Sequence, residues 1–248
     1  MIYNQVMRRT AWQGAPAKQM LSEQVYDTVR ADMLRGVFGP GDPLKPQDLA
    51  VSMGVSLAVV REALLRLVGD GLADRLPNRG FAVPAYSDLR WQQLAEARLV
   101  AEPAMLRMSI ERGDLDWEGR VRAAHHRLAR TPVRAEGKEL YFSDEWGAAH
   151  YNFHRTLLDG CGNAVLLETF DRLWTATDLA RRWSGYLTPG RDHVTEHRQL
   201  EEAALARDAE AAIQALTRHL TLTSAAMSSD GDLADQELQR PRTRGLGA

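Results

Sequence analysis

The side chains best suited to chemistry in this 248-residue sequence are its seven histidines: His125, His126, His150, His154, His193, His197 and His219. His150 and His154 are four apart, which puts both on one face of a helix. That face also carries Trp146, Phe153 and Leu157, so it turns inward. His197 precedes Leu200 and Ala204 on the inner stripe of its segment, and His219 lies between Leu216 and Leu220. Two imidazoles from one helix and one from each of two others can meet inside a bundle. Neutral imidazole there ligates zinc, nickel, copper or iron. The same spacing also allows four core histidines, each hydrogen-bonded to a neighbour. His193, four residues before His197, is an alternative ligand. His125 and His126 read as solvent-facing. No nucleophile–base pair is evident, and Cys161 sits in a Gly-Cys-Gly turn without an adjacent base. Arg98 lies beside an inner stripe of Leu94, Leu99 and Met105. A buried Arg needs an anion. Glu102, one turn on, can supply it, or the guanidinium is a fork for a carboxylate ligand.

The elements that position these residues are helical. From Asp88 to about Ser229 only helical periodicity appears, with helices expected near 88–112, 115–130, 138–160, 163–184, 191–206 and 208–228. Asp114, Gly137, the Gly160-Cys161-Gly162 run, Pro189-Gly190 and Asp208 punctuate them. Ahead of this region, a helix from about Met20 to Arg35 has Val25, Val29, Met33 and Leu34 inside. A second unit runs from Leu49 to Leu72. In it, Leu49, Ala50 and Met53 mark one helix face, and Gly54 ends that helix cheaply in a left-handed conformation. Ser56 caps the next helix, whose apolar face is Val60, Ala63, Leu64, Leu67 and Val68. This is a helix-turn-helix, a unit whose second helix can lie in a DNA major groove. Leu72–Val83 is too short for helices and reads as a two-stranded hairpin with Arg79 at its tip beside Gly80. Arg79 there either reaches a groove or phosphate, or caps a solvated turn.

These segments resemble the GntR family of bacterial transcription regulators. The resemblance rests on Leu49-Ala50, Gly54-Val55-Ser56, Val60-Arg61-Glu62-Ala63-Leu64 and Gly71-Leu72, with an upstream Gly36…Pro40-Gly41…Leu44 bend and a downstream Arg79-Gly80-Phe81-Ala82-Val83 wing. It implies a winged helix-turn-helix that contacts double-stranded operator DNA through Ser56, Arg61, Arg66, Arg75, Arg79 and Gly80. The second region resembles the FCD ligand-binding domain of the FadR-type branch, on Arg98 with Glu102, Phe153-His154, Gly162-Asn163, Glu196-His197, Asp208, Ala212 and His219-Leu220. That likeness implies a divalent metal on three histidines, at the places of His154, His197 and His219, with His150 where relatives carry an acid. A fully imidazole set favours borderline metals, zinc or nickel first. It also implies a small carboxylate effector, with Arg98 and Asn163 as contacts, and a homodimer.

The expected architecture is mostly α: an N-terminal winged helix-turn-helix plus a C-terminal all-helical bundle. The divisions are a disordered arm over 1–18, the DNA-binding domain over 19–86, the effector-binding domain over 87–229 and a disordered tail over 230–248. Some residues depart from the family. Leu57 stands where relatives carry a DNA-reading Arg, and Pro46 and Gln47 replace the usual Glu and Arg. From 19 to 86, seven bases face eight acids, a net of −1 rather than a basic footprint. The whole chain carries −2 and one cysteine, which excludes an internal disulfide and fits a reducing compartment. No apolar run has the length of a membrane span and no signal-peptide core opens the chain, so a cytoplasmic protein without a membrane partner is expected. The function expected is an effector-controlled transcription regulator, a repressor in the family's usual mode. The rivals are a helical metalloenzyme with a vestigial DNA-binding domain, and a regulator that has lost DNA binding and works through protein contacts.

Overall fold

The computed structural model describes residues 15–77, 79–85, 87–135, 138–184 and 191–228. Helix α1 (Ala15–Leu34) presents Val25, Val29, Met33 and Leu34 to the interior, the expected stripe. It begins earlier than expected, which shortens the arm. Pro16 sits in its first turn, where a missing amide hydrogen costs no helical bond. The rest of the arm and the 230–248 tail lie outside the described residues.

After α1 the chain bends through Gly36–Asp42 and forms β1 (Pro43–Leu44), then α2 (Pro46–Met53) and α3 (Leu57–Gly69). Gly54 closes α2 at φ +64, a left-handed conformation that costs a residue with a Cβ far more. Ser56 caps α3, its Oγ accepting from the Val59 amide at 3.4 Å. The face of α3 that packs on α1 and α2 is Val60, Ala63, Leu64 and Leu67, with Val59 added. Strands β2 (Asp74–Leu76) and β3 (Gly80–Ala82) follow as the expected hairpin. The sheet has a third strand, however. Its order is β1-β3-β2, all antiparallel, with Leu44 opposite Phe81 and Arg75 opposite Phe81. Two residues, one of them Pro43, carry no periodicity, so β1 is invisible in the sequence. The bend delivers it, since Val83 donates to the Asp42 carbonyl and Gly41 donates to that of Val83.

Contacts divide the chain into two compact units that meet between Pro84 and Ala85. The second unit contains α4 (Asp88–Arg112), α5 (Leu115–Arg130), β4 (Arg134–Ala135), β5 (Lys138–Phe142), α6 (Asp144–Asp159), α7 (Ala164–Ser184), α8 (His193–Leu205) and α9 (Ala209–Ser228). Helix α4 packs on α7 and α9, α5 on α6 and α8, and α8 on α9. One expectation is corrected here. The segment 138–142 pairs with β4 as an antiparallel ribbon, and the helix starts only at Asp144. Ser143 sets that start: its Oγ accepts from the Trp146 amide at 3.0 Å and donates to the Pro132 carbonyl at 2.7 Å. The core around the site is Phe153, Leu157, Phe170, Trp174, Leu200 and Leu216, all buried. No described helix is long and apolar enough to cross a membrane.

Candidate metal centre and DNA-reading helix

Helix α6 buries Trp146, Ala149, His150, Phe153, His154, Leu157 and Leu158 on one face, so the i, i+4 histidine pair points into the bundle. Helix α8 buries His197 on the stripe it shares with Leu200 and Ala204, and α9 buries His219 near Leu216 and Leu220. The four imidazoles converge: one ligand nitrogen from each of His150, His154, His197 and His219 lies within 4.8 Å of the other three. His154 Nε2 is 3.1 Å from His150 Nε2 and 3.3 Å from His197 Nε2. The rings of His197 and His219 are 4.8 Å apart between centroids. Trp146 stacks on His150 at 4.4 Å, and Trp174 of α7 meets both His150 and His154.

The donor set fits a borderline divalent metal. Metal–imidazole bonds are about 2.0–2.1 Å, so nitrogens on one ion lie within about 4.2 Å of one another. The observed limit of 4.8 Å is about half an ångström wider than that value. Two of the imidazoles, His197 and His219, are also biased toward their ligating, neutral form. Burial pushes His197 well below the ordinary histidine value, and His219 and His193, when charged, disfavour its protonation further. Burial lowers His219 too, against the opposing hydrogen bond to Glu196.

A second layer orients His219. Its Nδ1 lies 2.8 Å from Glu196 Oε2. A carboxylate only accepts, so the hydrogen is on Nδ1 and Nε2 turns a lone pair to the cluster. Arg191 grips Glu196 with Nε and Nη2 at 2.8 and 2.6 Å, and also donates to Thr223 Oγ1 and the His219 carbonyl. Burial alone raises the Glu196 carboxyl, but the Arg191 and His219 hydrogen bonds outweigh it and hold the carboxyl well below its ordinary range. Arg191 has no helical periodicity to mark it and was not legible in the sequence.

Several expected positions are reassigned. His193 stands outside the cluster, edge-on to Trp146 at 6.1 Å, and burial with Arg191 nearby lowers it to about 4. His125 does not face solvent: its side chain is 11% exposed and its Nδ1 lies 2.6 Å from Glu201 Oε2. Of the two readings left open for Arg98, the ion pair is the one present. Arg98 and Glu102 are both buried, joined through Nε and Nη2, with the guanidinium 5.4 Å from the Trp174 ring. Asn163 is engaged at the start of α7, where its Oδ1 accepts from the Val165 and Leu166 amides. The sequence signal for that role was the Gly-Asn pair ahead of a helix.

In the first unit, Arg61, Arg75 and Arg79 are exposed, and Gly80 has φ +95 beside Pro46. Arg61 stands on the side of α3 opposite its buried stripe. Arg66 is turned about 140° from Arg61 around the helix. Its guanidinium lies 4.8 Å over the ring of Tyr26, whose hydroxyl donates to Asp70. Arg66 therefore belongs to the packing of α1 on α3 rather than to one reading face with Arg61. Leu57 is half-buried.

Comparison with known proteins places these units. Residues 21–83 match the family described as bacterial regulatory proteins, gntR family, and residues 93–222 match the FCD domain. The uncharacterized HTH-type transcriptional regulator BphR of Paraburkholderia xenovorans is 33% identical over 197 residues, covering 79% of this chain and 80% of that protein. The HTH-type transcriptional repressor GlaR of Escherichia coli is 29% identical over 200 residues, covering 77% and 88%. A solved putative GntR regulator from Rhodococcus sp. RHA1 superposes with a TM-score of 0.66 at 25% identity, over 84% of this chain and 98% of that one. A winged helix-turn-helix followed by a helical FCD unit, matched in sequence over most of its length, makes this chain a member of the GntR family of DNA-binding transcription regulators, in the FadR-type branch, and not an enzyme.

Proposed function

We propose that this regulator is a cytoplasmic, homodimeric repressor whose operator binding is controlled by a small carboxylate held at a divalent metal, zinc or nickel, on His150, His154, His197 and His219. The observation that carries the reading is the convergence of four buried imidazole nitrogens within 4.8 Å. A bound metal would supply positive charge and would take the carboxylate by expanding beyond its four imidazoles, since a four-coordinate tetrahedral ion has no open position. The chain's own part is to bias His197 and His219 toward the neutral form, to fix His219 through Glu196 and Arg191, and to wall the centre with Trp146 and Trp174. Operator contact falls to Arg61 on α3 and to Arg75 and Arg79 on the wing. Two such units must meet half-sites about one helical turn apart, so a small change in their separation releases both.

The test is metal analysis, thermal melting and operator binding on wild type, His197→Ala and His219→Ala. Each variant is expected to lose most of its metal. Full occupancy in both would sink the centre. The near-neutral winged unit and Leu57 favour a second reading, in which DNA binding has been lost and the protein acts through partner proteins. Retention of genomic fragments at low salt decides between the two.

A further inference from the structure

The first turn of α3, from Leu57 to Val60, is wholly apolar. Val59 and Val60 are buried in it, which leaves exposed Ala58 and half-buried Leu57 as the side chains a ligand can meet. At about 100° per residue, Ala58 stands opposite the buried Val60, Ala63 and Leu67. Arg61, also exposed, lies about 60° to one side of Ala58, and Leu57 about 40° beyond Arg61. The guanidinium therefore falls between the two apolar residues in angle, one turn further along. Glu62, on the other flank, is half-buried and already engaged within the fold.

In a helix-turn-helix the N-terminal residues of the second helix meet the base edges of the major groove. Leu57 and Ala58 bring no hydrogen-bonding group to that place. The apolar mark on a base edge there is the C5 methyl of thymine, and alanine and similar side chains pack against it. The single methyl of Ala58 also leaves room for the helix to come close. Arg61 is about 4.5 Å along the axis from Ala58, on the scale of one base-pair step of about 3.4 Å, and the arginine fork matches O6 and N7 of guanine. A protein partner on the same face would have to bury Arg61 and supply an acid for it, so DNA is the occupant these side chains favour.

We propose that Leu57 and Ala58 are specificity contacts of the operator complex, packing on the C5 methyl of a thymine next to a guanine that Arg61 reads. At that step the half-site is chosen by a methyl group rather than by a hydrogen bond. The contact rests on the reading of this chain as an operator-binding regulator and adds to it a base that the operator must carry.

The experiment enriches a random duplex library on the purified full chain at low salt. The best duplex is then remade with deoxyuridine at each thymine in turn, which deletes only the methyl. At one thymine of each half-site the change is expected to weaken binding about fourfold, the effect of one buried carbon, and about fifteenfold when made in both half-sites. The loss should be equal at about 50 and about 200 mM salt, because a methyl releases no counterion. Guanines replaced by the analogue lacking N7 locate the base read by Arg61, as the one whose penalty disappears in Arg61→Ala. The sensitive thymine should lie within about two base pairs of it. The double variant Leu57→Ser with Ala58→Gly is expected to bind the thymine and deoxyuridine duplexes equally. Deoxyuridine tolerated at every thymine, a sensitive thymine far from that guanine, or a full deoxyuridine penalty in the double variant would each overturn the contact. The wild-type measurements decide even if the double variant does not fold. Enriched duplexes indifferent to deoxyuridine overturn the thymine contact alone. Failure to enrich any duplex overturns operator binding with it, and gives the apolar turn to a protein partner.

Discussion

At the scale of single residues, two side chains separate the duties of the protein. Arg61 projects from the solvent side of α3, while Val60, Ala63 and Leu64 beside it are buried. Arg61→Ala is expected to weaken specific operator binding by about 1–3 kcal/mol, the value of one good base or phosphate contact, with folding unchanged. A gel-shift or fluorescence titration at fixed salt measures it, and equal affinity removes Arg61 from the interface. Glu196 acts one bond further from its target. It accepts from His219 Nδ1 and is itself held by Arg191. Glu196→Gln keeps the size but weakens the acceptor and can turn an N–H toward Nδ1. Zinc affinity in a competition titration is expected to fall about 10–100-fold, as it does when a ligand's supporting hydrogen bond is lost. Unchanged affinity would mean that His219 needs no such support.

At the scale of elements, the meeting of α4, α5 and α6 depends on close backbone approach. Ser109 Oγ donates to the Leu158 carbonyl, and Trp117 Nε1 donates to that of Thr156. A Cβ on Gly113 would sit 2.4 Å from Trp117 Cε3 and 2.7 Å from the Ser109 carbonyl oxygen. One on Gly160 would lie 2.9 Å from that same oxygen. Gly113→Ala must therefore push the buried Trp117 ring aside. A loss of about 1–3 kcal/mol is expected, the usual cost of overpacking. At this chain length that is a fall of several degrees in melting temperature. An unaltered melt would show that α5 can slide without penalty. The turn from α8 to α9 is held in another way. Arg207, at φ +60, reaches back to the Ile110 and Gly113 carbonyls and to Glu118.

At the scale of the molecule, the metal and the histidine protons bear on the helical unit, since no histidine precedes His125. Metal removal is expected to lower the melting temperature of the loaded protein, because a ligand bound only by the folded state contributes about 2.7 kcal/mol at a hundredfold excess over its Kd. Operator binding by the effector-free protein should largely persist. The metal-free protein should lose stability in acid. Unfolded, these imidazoles protonate near about 6.5. Folded, burial holds His197 and His219 below that and His193 at about 4. The unfolded state thus binds more protons as pH falls from about 6.5 toward His193's value, and stability drops across that window. Denaturant midpoints between neutral pH and pH 4 measure it. A flat profile would mean that these groups titrate alike in both states.

The sequence by itself determined what periodicity and local chemistry encode. The stripes of α1 and α3, the Gly54 turn and the Ser56 cap follow from spacing along one element, as does the shared face of His150 and His154. A helix repeats every 3.6 residues, so inward positions can be read without knowing what lies opposite. Only the tertiary structure decided which inward groups meet. The place of His197 and His219 beside the α6 pair depends on how α8 and α9 pack. So do the Arg191–Glu196 support, the Trp174 wall and the burial of His125 against Glu201. Strand β1 and the β4–β5 ribbon were hidden for a related reason. Strands so short get their hydrogen bonds from a distant partner, and nothing in their own residues announces it.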